Sequence, residues 1–280
     1  RVAVEVFLAC GSCDRCRAGD ERRCIHHGLA GMYGAVSTSR APGLWGGYAP
    51  YQYLAPDTRL HKVPAGLDPV VATLFNPLGA GVRWAATLPA TQPGDVVAVL
   101  GPGIRGVSAV IAAKRAGARF VMVTGAGSRD APRLAAAEQF GADLTVDVTT
   151  TDPVAALRAA TGGHADVVVD VTAKAPAAWA QAVKLARPAG TIVVAGTRGQ
   201  ETLGFSTDLL VYKELRVLGA LGVDGAAYRD ALALLATDPA PFAALSRRTA
   251  SISDADSVTA LLETMAGERS EPPLHAVLVP

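Results

Sequence analysis

From Val96 onward the chain alternates between short apolar runs and helical stretches so regularly that few folds remain open to it. The runs 96–100, 119–124, 144–147, 166–171, 191–195 and 215–218 have the length of strands. The segments 105–116, 131–140, 153–160, 175–186 and 207–212 between them have the character of helices. Gly117, Gly141 and Gly162 follow the first three, where the left-handed cap conformation costs a glycine little. The strands are apolar throughout rather than at alternate positions, as expected where helices cover both faces. Repeated βα units of this length predict an α/β fold with a parallel, doubly wound sheet.

The first strand–helix junction reads Gly101-Pro102-Gly103-Ile104-Arg105-Gly106. In such a G-x-G-x-x-G turn the first glycine permits the tight turn, the second lets backbone approach a pyrophosphate, and the third lets the helix pack on the strand. The anion then rests on free N–H groups at the helix N-terminus. A site for NAD usually has an acid at the end of the second strand, bonded to the ribose hydroxyls. Here that strand runs into Gly125-Ala126-Gly127-Ser128-Arg129, with no acid before Asp130. Gly125 removes the carboxylate that would repel a 2′-phosphate, and Ser128 and Arg129 can bond to one, which favours NADP over NAD.

All the cysteines of the chain lie near its start, at Cys10, Cys13, Cys16 and Cys24. The spacing C-x2-C-x2-C-x7-C suits one tetrahedral zinc, and four thiolates close its coordination sphere, so the site is structural in kind. A disulfide framework is the poorer reading, because a chain of 280 residues needs no covalent staple. Arg15, Arg17, Arg22 and Arg23 lie nearby and can offset the negative charge of four thiolates. Residues 1–66 otherwise read as an irregular, mostly β module with strands at 2–7, 47–54 and 59–62. A helix over 70–88, interrupted at Asn76-Pro77, leads into the alternating region. After 224 the alternation stops, with helices at 228–236 and 257–265 and a strand at 275–279.

Half of the residues are hydrophobic, enough for a sizeable core, and the formal net charge is +1. That balance gives no electrostatic reason to expect nucleic acid or an anionic membrane as partner. No apolar run reaches the ~18 residues of a membrane span. The default compartment is the cytoplasm.

Together these stretches resemble the zinc-containing medium-chain dehydrogenase/reductase family, the alcohol dehydrogenase-like proteins. The likeness is carried by the cysteine cluster, by Gly46-Gly47-Tyr48-Ala49-Pro50-Tyr51 with Val63-Pro64-Ala65-Gly66-Leu67, by Gly101–Gly106, by Phe140-Gly141-Ala142-Asp143 and by Lys213-Glu214-Leu215. The resemblance implies a structural zinc on Cys10, Cys13, Cys16 and Cys24. It implies a Rossmann NAD(P)-binding domain over 67–222, and an incomplete, mostly β GroES-like catalytic domain made of 1–66 and the returning segment 223–280. The implied cofactor set is Gly101, Gly103, Ile104, Arg105, Gly106, Gly125, Ser128, Arg129, Val171, Thr172 and Gly196. The implied reaction is hydride transfer between a nicotinamide and a small alcohol, polyol or carbonyl. By analogy the assembly is a homo-oligomer, dimer or tetramer, joined at strand 215–218.

Members of that family usually bind a second, catalytic zinc through a Cys in G-x-C-x-[ST]-D and the His of Gly-His-Glu, and neither stretch occurs here. The chain opens on Arg1 within a strand-like run. The expectation is therefore that an N-terminal segment is missing, that a catalytic zinc belongs only to a complete chain, and that the 280 residues alone are poorly soluble. His26 and His27 do not match the ligand pattern, and His61, His164 and His275 read as isolated surface or loop positions. Asn76 stands where many relatives have the Glu of Glu-Pro-Leu; an amide is a poor zinc ligand, and a residue before proline is expected to be extended. No catalytic residue is identified. Two alternatives are a shortened product that binds NAD(P) and zinc without catalysis, and a zinc-independent quinone-reductase-like enzyme, against which the cysteine cluster argues.

Overall fold

Every residue of Val96–Leu100 is buried, because helices cover the strand on both sides. The computed structural model describes residues 1–173, 175–197, 199, 207–245, 247–269 and 272–280. The chain divides into two compact units, Arg1–Asn76 with Val223–Pro280, and Pro77–Gly222.

In the first unit, β1 (Val2–Val4) pairs antiparallel with β2 (Leu60–Lys62), Val2 opposite Lys62. Between them lies the cysteine-bearing loop with the single helical turn α1 (Asp14–Arg17). The short helix α2 (Pro69–Ala72) starts at Asp68, whose carboxylate accepts from the N–H groups of Val70 and Val71 at 2.7 and 3.1 Å. This is the N-cap arrangement that offsets unpaired first-turn donors. The boundary between the units falls inside α3 (Phe75–Gly81).

The second unit continues from α3 through a π-helical segment, Val82–Thr87, into β3 (Val96–Leu100). There follow α4 (Ile104–Arg115), β4 (Phe120–Gly125), α5 (Ala131–Gln139), β5 (Leu144–Asp147), α6 (Pro153–Thr161), β6 (Ala165–Asp170), α7 (Ala177–Leu185), β7 (Ala186–Val194), α8 (Asp208–Tyr212) and β8 (Arg216–Gly219). All neighbouring strands are parallel, in the order β5-β4-β3-β6-β7-β8. The order reverses between β3 and β6, and ligands of such sheets bind at that crevice, beyond the carboxyl ends of the strands. Val96, Ala98, Leu100, Met122, Val168 and Ile192 form one buried cluster with Leu157, Ala182 and Leu185 from α6 and α7. Their neighbours Val97, Val99, Val121 and Val123 are buried too. Successive strand residues point to opposite faces, so the near-continuous valine run serves both layers.

Two contacts fix the helices that frame the strand ends. A Cβ on Gly81 would lie 2.2 Å from the Ser108 carbonyl oxygen, so glycine is what lets α3 and α4 approach. The Lys213 ammonium donates to the carbonyls of Val183, Lys184 and Ala186 at 2.9, 3.1 and 2.7 Å. It thereby satisfies the C-terminal turn of α7, whose carbonyls have no partner within the helix.

The chain then returns to the first unit with α9 (Gly225–Thr237), α10 (Ala240–Ala243), β9 (Arg247–Ser251), α11 (Ala255–Ala266) and β10 (His275–Val279). β9 and β10 pair in parallel, Arg247 opposite His275.

The architecture departs from the sequence reading in several places: β1 stops at Val4 rather than running to Phe7, and α10 and β9 were not foreseen. Residues 47–54 form no strand: Tyr48 and Tyr51 are exposed at 73% and 79%, and no ladder partner is present among the described residues. Their alternation reflects one inward ring, Tyr53, set edge-on to Trp45 at 5.0 Å. The stretch 70–88 is three successive helical pieces rather than one helix. Asn76 lies within α3 instead of being extended, because Pro77 is tolerated where the first-turn N–H has no acceptor. Strand β7 begins at Ala186, five residues before the apolar run that marked it at Thr191.

Candidate functional site

The glycine turn sits where the sheet order reverses. Gly101 follows β3 with φ +104°, a conformation open to glycine and closed to most other residues. A Cβ on Gly106 would lie 1.9 Å from the Gly101 carbonyl oxygen, so the third glycine lets α4 start directly against the turn. A Cβ on Gly103 would meet nothing within 4 Å. The second glycine thus opens on free space, at the N-cap of α4, where no side chain caps the helix. First-turn N–H groups directed at open space are what an anion needs.

Other residues converge on this turn. The side chains of Thr172 and Val171 lie 3.3 and 3.5 Å from the Cβ position of Gly101. Asp170, fully buried at the end of β6, holds Thr172 in place by accepting from its N–H and hydroxyl at 3.0 and 2.7 Å. A Cβ on Gly196 would lie 1.9 Å from the Thr172 carbonyl oxygen. Gly101, Gly103, Gly106, Val171, Thr172 and Gly196 therefore share one region. Ile104 opens α4, and its carbonyl accepts from the Ser108 hydroxyl at 2.7 Å. Arg105 sets its guanidinium over the Trp84 ring, 5.6 Å from the centroid.

The end of β4 adjoins the turn, since Leu100 is in register with Thr124 and the Gly101 N–H donates to the Thr124 carbonyl at 3.1 Å. Gly125 is buried there, its Cβ position 3.0 Å from Pro102 Cγ and 2.9 Å from Asp130 Cβ. Ser128 and Arg129 lie exposed on the following 3-10 turn. Asp130 folds back to accept from the Ala126 N–H at 2.9 Å and pairs with Arg133 at 3.2 Å. Asp147, at the end of β5, accepts from the Gly127 N–H at 2.9 Å and from the N–H and hydroxyl of Thr149 at 2.9 and 2.7 Å. The Gly127 N–H and the Thr149 bonds hold the Asp147 carboxyl below its ordinary pKa.

The four cysteine sulfurs lie within 4.8 Å of one another. A zinc tetrahedron with Zn–S of about 2.3 Å has S···S edges of about 3.8 Å, and Cys10 and Cys16 stand 3.9 Å apart. The Ser12 hydroxyl, with the backbone N–H groups of Ser12 and Cys13, brings Cys10 down to about 5, whereas burial pushes Cys16 up to about 12. Three of the four cysteines are buried, and gathering thiolates out of water requires a cation among them. The donor set, spacing and burial fit zinc.

Three of the four arginines around the cluster are paired with carboxylates. Arg22, 9% exposed, pairs with Asp20 at 3.0 Å and Asp224 at 3.5 Å; Arg23 pairs with Asp20, and Arg17 with Asp14 at 3.3 Å. His27 bonds Asp57 at 2.6 Å and His26 is exposed; among the described residues neither joins the sulfur group.

Two histidines expected at isolated surface or loop positions are half-buried and bonded. His61 lies on β2, its Nε2 2.7 Å from the buried Glu5 carboxylate, and its ring packs against Tyr228, tilted by 52° with 5.8 Å between centroids. Burial raises the Glu5 pKa. His275 lies on β10 with Nε2 2.8 Å from the Thr73 hydroxyl. That hydroxyl spends its proton on the Val70 carbonyl at 2.6 Å, so His275 is the donor and its Nε2 carries hydrogen. The Asn76 amide donates to the Tyr228 hydroxyl at 2.9 Å.

Sequence reasoning missed Asp130, Asp147 and Asp170 as members of this region. The only signal was their position within or just past the carboxyl ends of strands, and it does not say which N–H each carboxylate reaches.

Residues 106–237 match the family model described as zinc-binding dehydrogenase. The protein named "Probable alcohol dehydrogenase adh" of Mycobacterium tuberculosis is 66% identical over 283 residues, a match that spans 100% of this chain and 76% of that protein. An alcohol dehydrogenase from Thermotoga maritima superimposes with a TM-score of 0.85 at 24% identity, over 100% of this chain and 75% of its own. A zinc-binding dehydrogenase from Sinorhizobium meliloti 1021, solved bound to NADP, gives a TM-score of 0.74 at 26% identity, over 99% of this chain and 76% of its own.

Proposed function

Because this chain belongs to the zinc-containing medium-chain dehydrogenase/reductase family of alcohol dehydrogenase-like oxidoreductases, we propose that it holds a nicotinamide dinucleotide on Gly101–Gly106 and one structural zinc on Cys10, Cys13, Cys16 and Cys24. The reaction is hydride exchange between that nicotinamide and a small alcohol, polyol or carbonyl compound. The single observation that carries the cofactor reading is the contrast within the turn: a Cβ is excluded by 1.9 Å at Gly106 and unhindered at Gly103. The first closes the helix onto the strand, and the second leaves the backbone bare for a pyrophosphate.

When bound, the nicotinamide accepts or supplies the hydride. The residues of this chain bind and orient it. The first-turn N–H groups of α4 take the pyrophosphate. Val171 and Thr172, steadied by Asp170, form the wall on the β6 side of the turn. Gly125, Ser128 and Arg129 lie at the adenosine end. The unit Pro77–Gly222 is the nucleotide-binding domain, and Arg1–Asn76 with Val223–Pro280 is the GroES-like substrate domain. The four thiolates would hold the 10–24 loop around their zinc and leave no position for substrate. The exposed edge strand β8 is the surface on which a second copy would pair.

The test is a purified chain assayed for both groups. Metal analysis should find about one zinc per chain, lost in Cys24→Ser, as a single four-thiolate site requires. Nicotinamide fluorescence should change on titration with NADH or NADPH. A chain that retains neither zinc nor any pyridine nucleotide refutes the proposal.

A further inference from the structure

We propose that the turn after β4 selects NAD over NADP, with Asp130 and Asp147 as the specificity-determining residues. The inference rests on the reading of Gly101–Gly106 as the dinucleotide turn. Given that reading, the β4 end receives the adenosine ribose, because Gly125 touches Pro102 of the turn, with 3.0 Å between its Cβ position and Pro102 Cγ.

From sequence, this turn suits a 2′-phosphate: no acid at Gly125, consecutive backbone N–H groups in a glycine-rich turn, and Ser128 and Arg129 beyond. The structure alters each element. The absent acid is replaced from five residues downstream. Asp130 Cβ lies 2.9 Å from the place where a Gly125 Cβ would stand, so the glycine makes room for Asp130. The N–H groups are taken: Ala126 donates to Asp130 and Gly127 to Asp147, each at 2.9 Å. A phosphate arriving at this turn finds both donors committed to anions. Arg129 is exposed, and no ion pair ties its guanidinium to the β4 end among the described residues. Arg133, the cation that does reach this end, is engaged with Asp130 at 3.2 Å.

The two ligands differ in what they offer these carboxylates. A ribose 2′-hydroxyl is a donor, and a carboxylate has about four acceptor sites, so Asp130 and Asp147 can each take a further hydrogen bond. A 2′-phosphate carries two negative charges near neutral pH and brings no proton to share. Like charges placed face to face oppose binding. The carboxylates that brace the turn therefore also set its preference.

The experiment titrates the full chain with NADH and with NADPH, and measures displacement of NADH by 5′-AMP against 2′-AMP. The expected result is NADH bound about tenfold or more tightly than NADPH, with 5′-AMP the stronger competitor. Asp130→Asn and Asp147→Asn keep an oxygen for the Ala126 and Gly127 N–H groups and remove the charge. Together they should bring the ratio toward one by tightening NADPH. NADPH binding equal to or tighter than NADH by the unaltered chain overturns the inference while leaving the dinucleotide turn intact. Binding of neither nucleotide overturns the turn's assignment, and this inference with it. The comparison in the unaltered chain decides the matter even if the Asn variants fold poorly.

Discussion

Gly106→Ala and Gly103→Ala add the same methyl group three residues apart, and the structure assigns them opposite consequences. At Gly106 the new Cβ would lie 1.9 Å from the Gly101 carbonyl oxygen. A C···O contact relaxes only near about 3.3 Å, so the first turn of α4 must withdraw by about 1.4 Å. The helix has little room to do so, because Ser108 on the same helix already lies against Gly81, 2.2 Å from that residue's Cβ position. Overpacking of this kind costs roughly 3 kcal/mol, partly offset by about 1 kcal/mol from replacing glycine within a helix. The net loss of about 2 kcal/mol should lower Tm by about 4–8 °C for a chain of this size. Nucleotide affinity should fall with it, since the donors of the turn move by more than 1 Å, a misplacement able to cost about a hundredfold. Gly103 has an ordinary φ of −67° and a Cβ there meets nothing within 4 Å, so Gly103→Ala should melt with the unaltered chain. Its methyl group would still occupy the space assigned to the pyrophosphate, so dinucleotide binding should be lost without loss of stability. Thermal melting by circular dichroism and NADH titration of both variants separate these effects. A Gly106→Ala chain that melts with the unaltered protein and binds NADH equally would refute the reasoning, as would a Gly103→Ala chain with undiminished affinity.

Lys213→Met should remove three charge-assisted hydrogen bonds to the end of α7, at a cost of about 2–4 kcal/mol; a Tm unchanged on melting would show those carbonyls to be served by water instead. Burial, with Arg247 nearby, pushes His275 down to about 4 from an ordinary 6.5. The unfolded chain therefore binds the extra proton between those values, so the stability contribution is complete above pH 6.5 and is lost as pH falls toward 4. The full shift sets an upper limit of about 3 kcal/mol, nearer about 1–2 kcal/mol after solvent screening at a half-buried site; urea unfolding across this window should show a shallower pH slope in His275→Gln. Tyr228→Phe takes the acceptor from the Asn76 amide and should cost about 1 kcal/mol in urea unfolding, with no loss of NADH affinity if the nucleotide turn is independent of it.

Much of the nucleotide-binding unit was legible because its demands are local. Val96–Leu100 is bounded in the structure as its apolar run predicts, since a strand buried on both faces must be apolar at every position. The residues 47–54 misled for the converse reason. Alternation marks a strand only if a partner supplies hydrogen bonds, and there Tyr53 turns inward to Trp45 while Tyr48 and Tyr51 face solvent. His61 and His275 looked isolated because their partners, Glu5 and Thr73, stand 56 and 202 positions away.

By itself the sequence determined the parallel sheet, the turn that follows its first strand, and a four-sulfur cluster. In each case one residue type at one spacing meets a backbone or ligand requirement unaided: glycine at φ +104° in Gly101, and sulfur at four nearby positions. Only the tertiary structure decided the chemistry at the edges of those features. Asp147 reaches the Gly127 N–H across 20 residues, Asp130 fills the space left by Gly125, and Lys213 reaches the end of α7. A hydrogen bond requires its partner within about 3 Å, and that distance is set by how strands and helices pack, which no local pattern encodes.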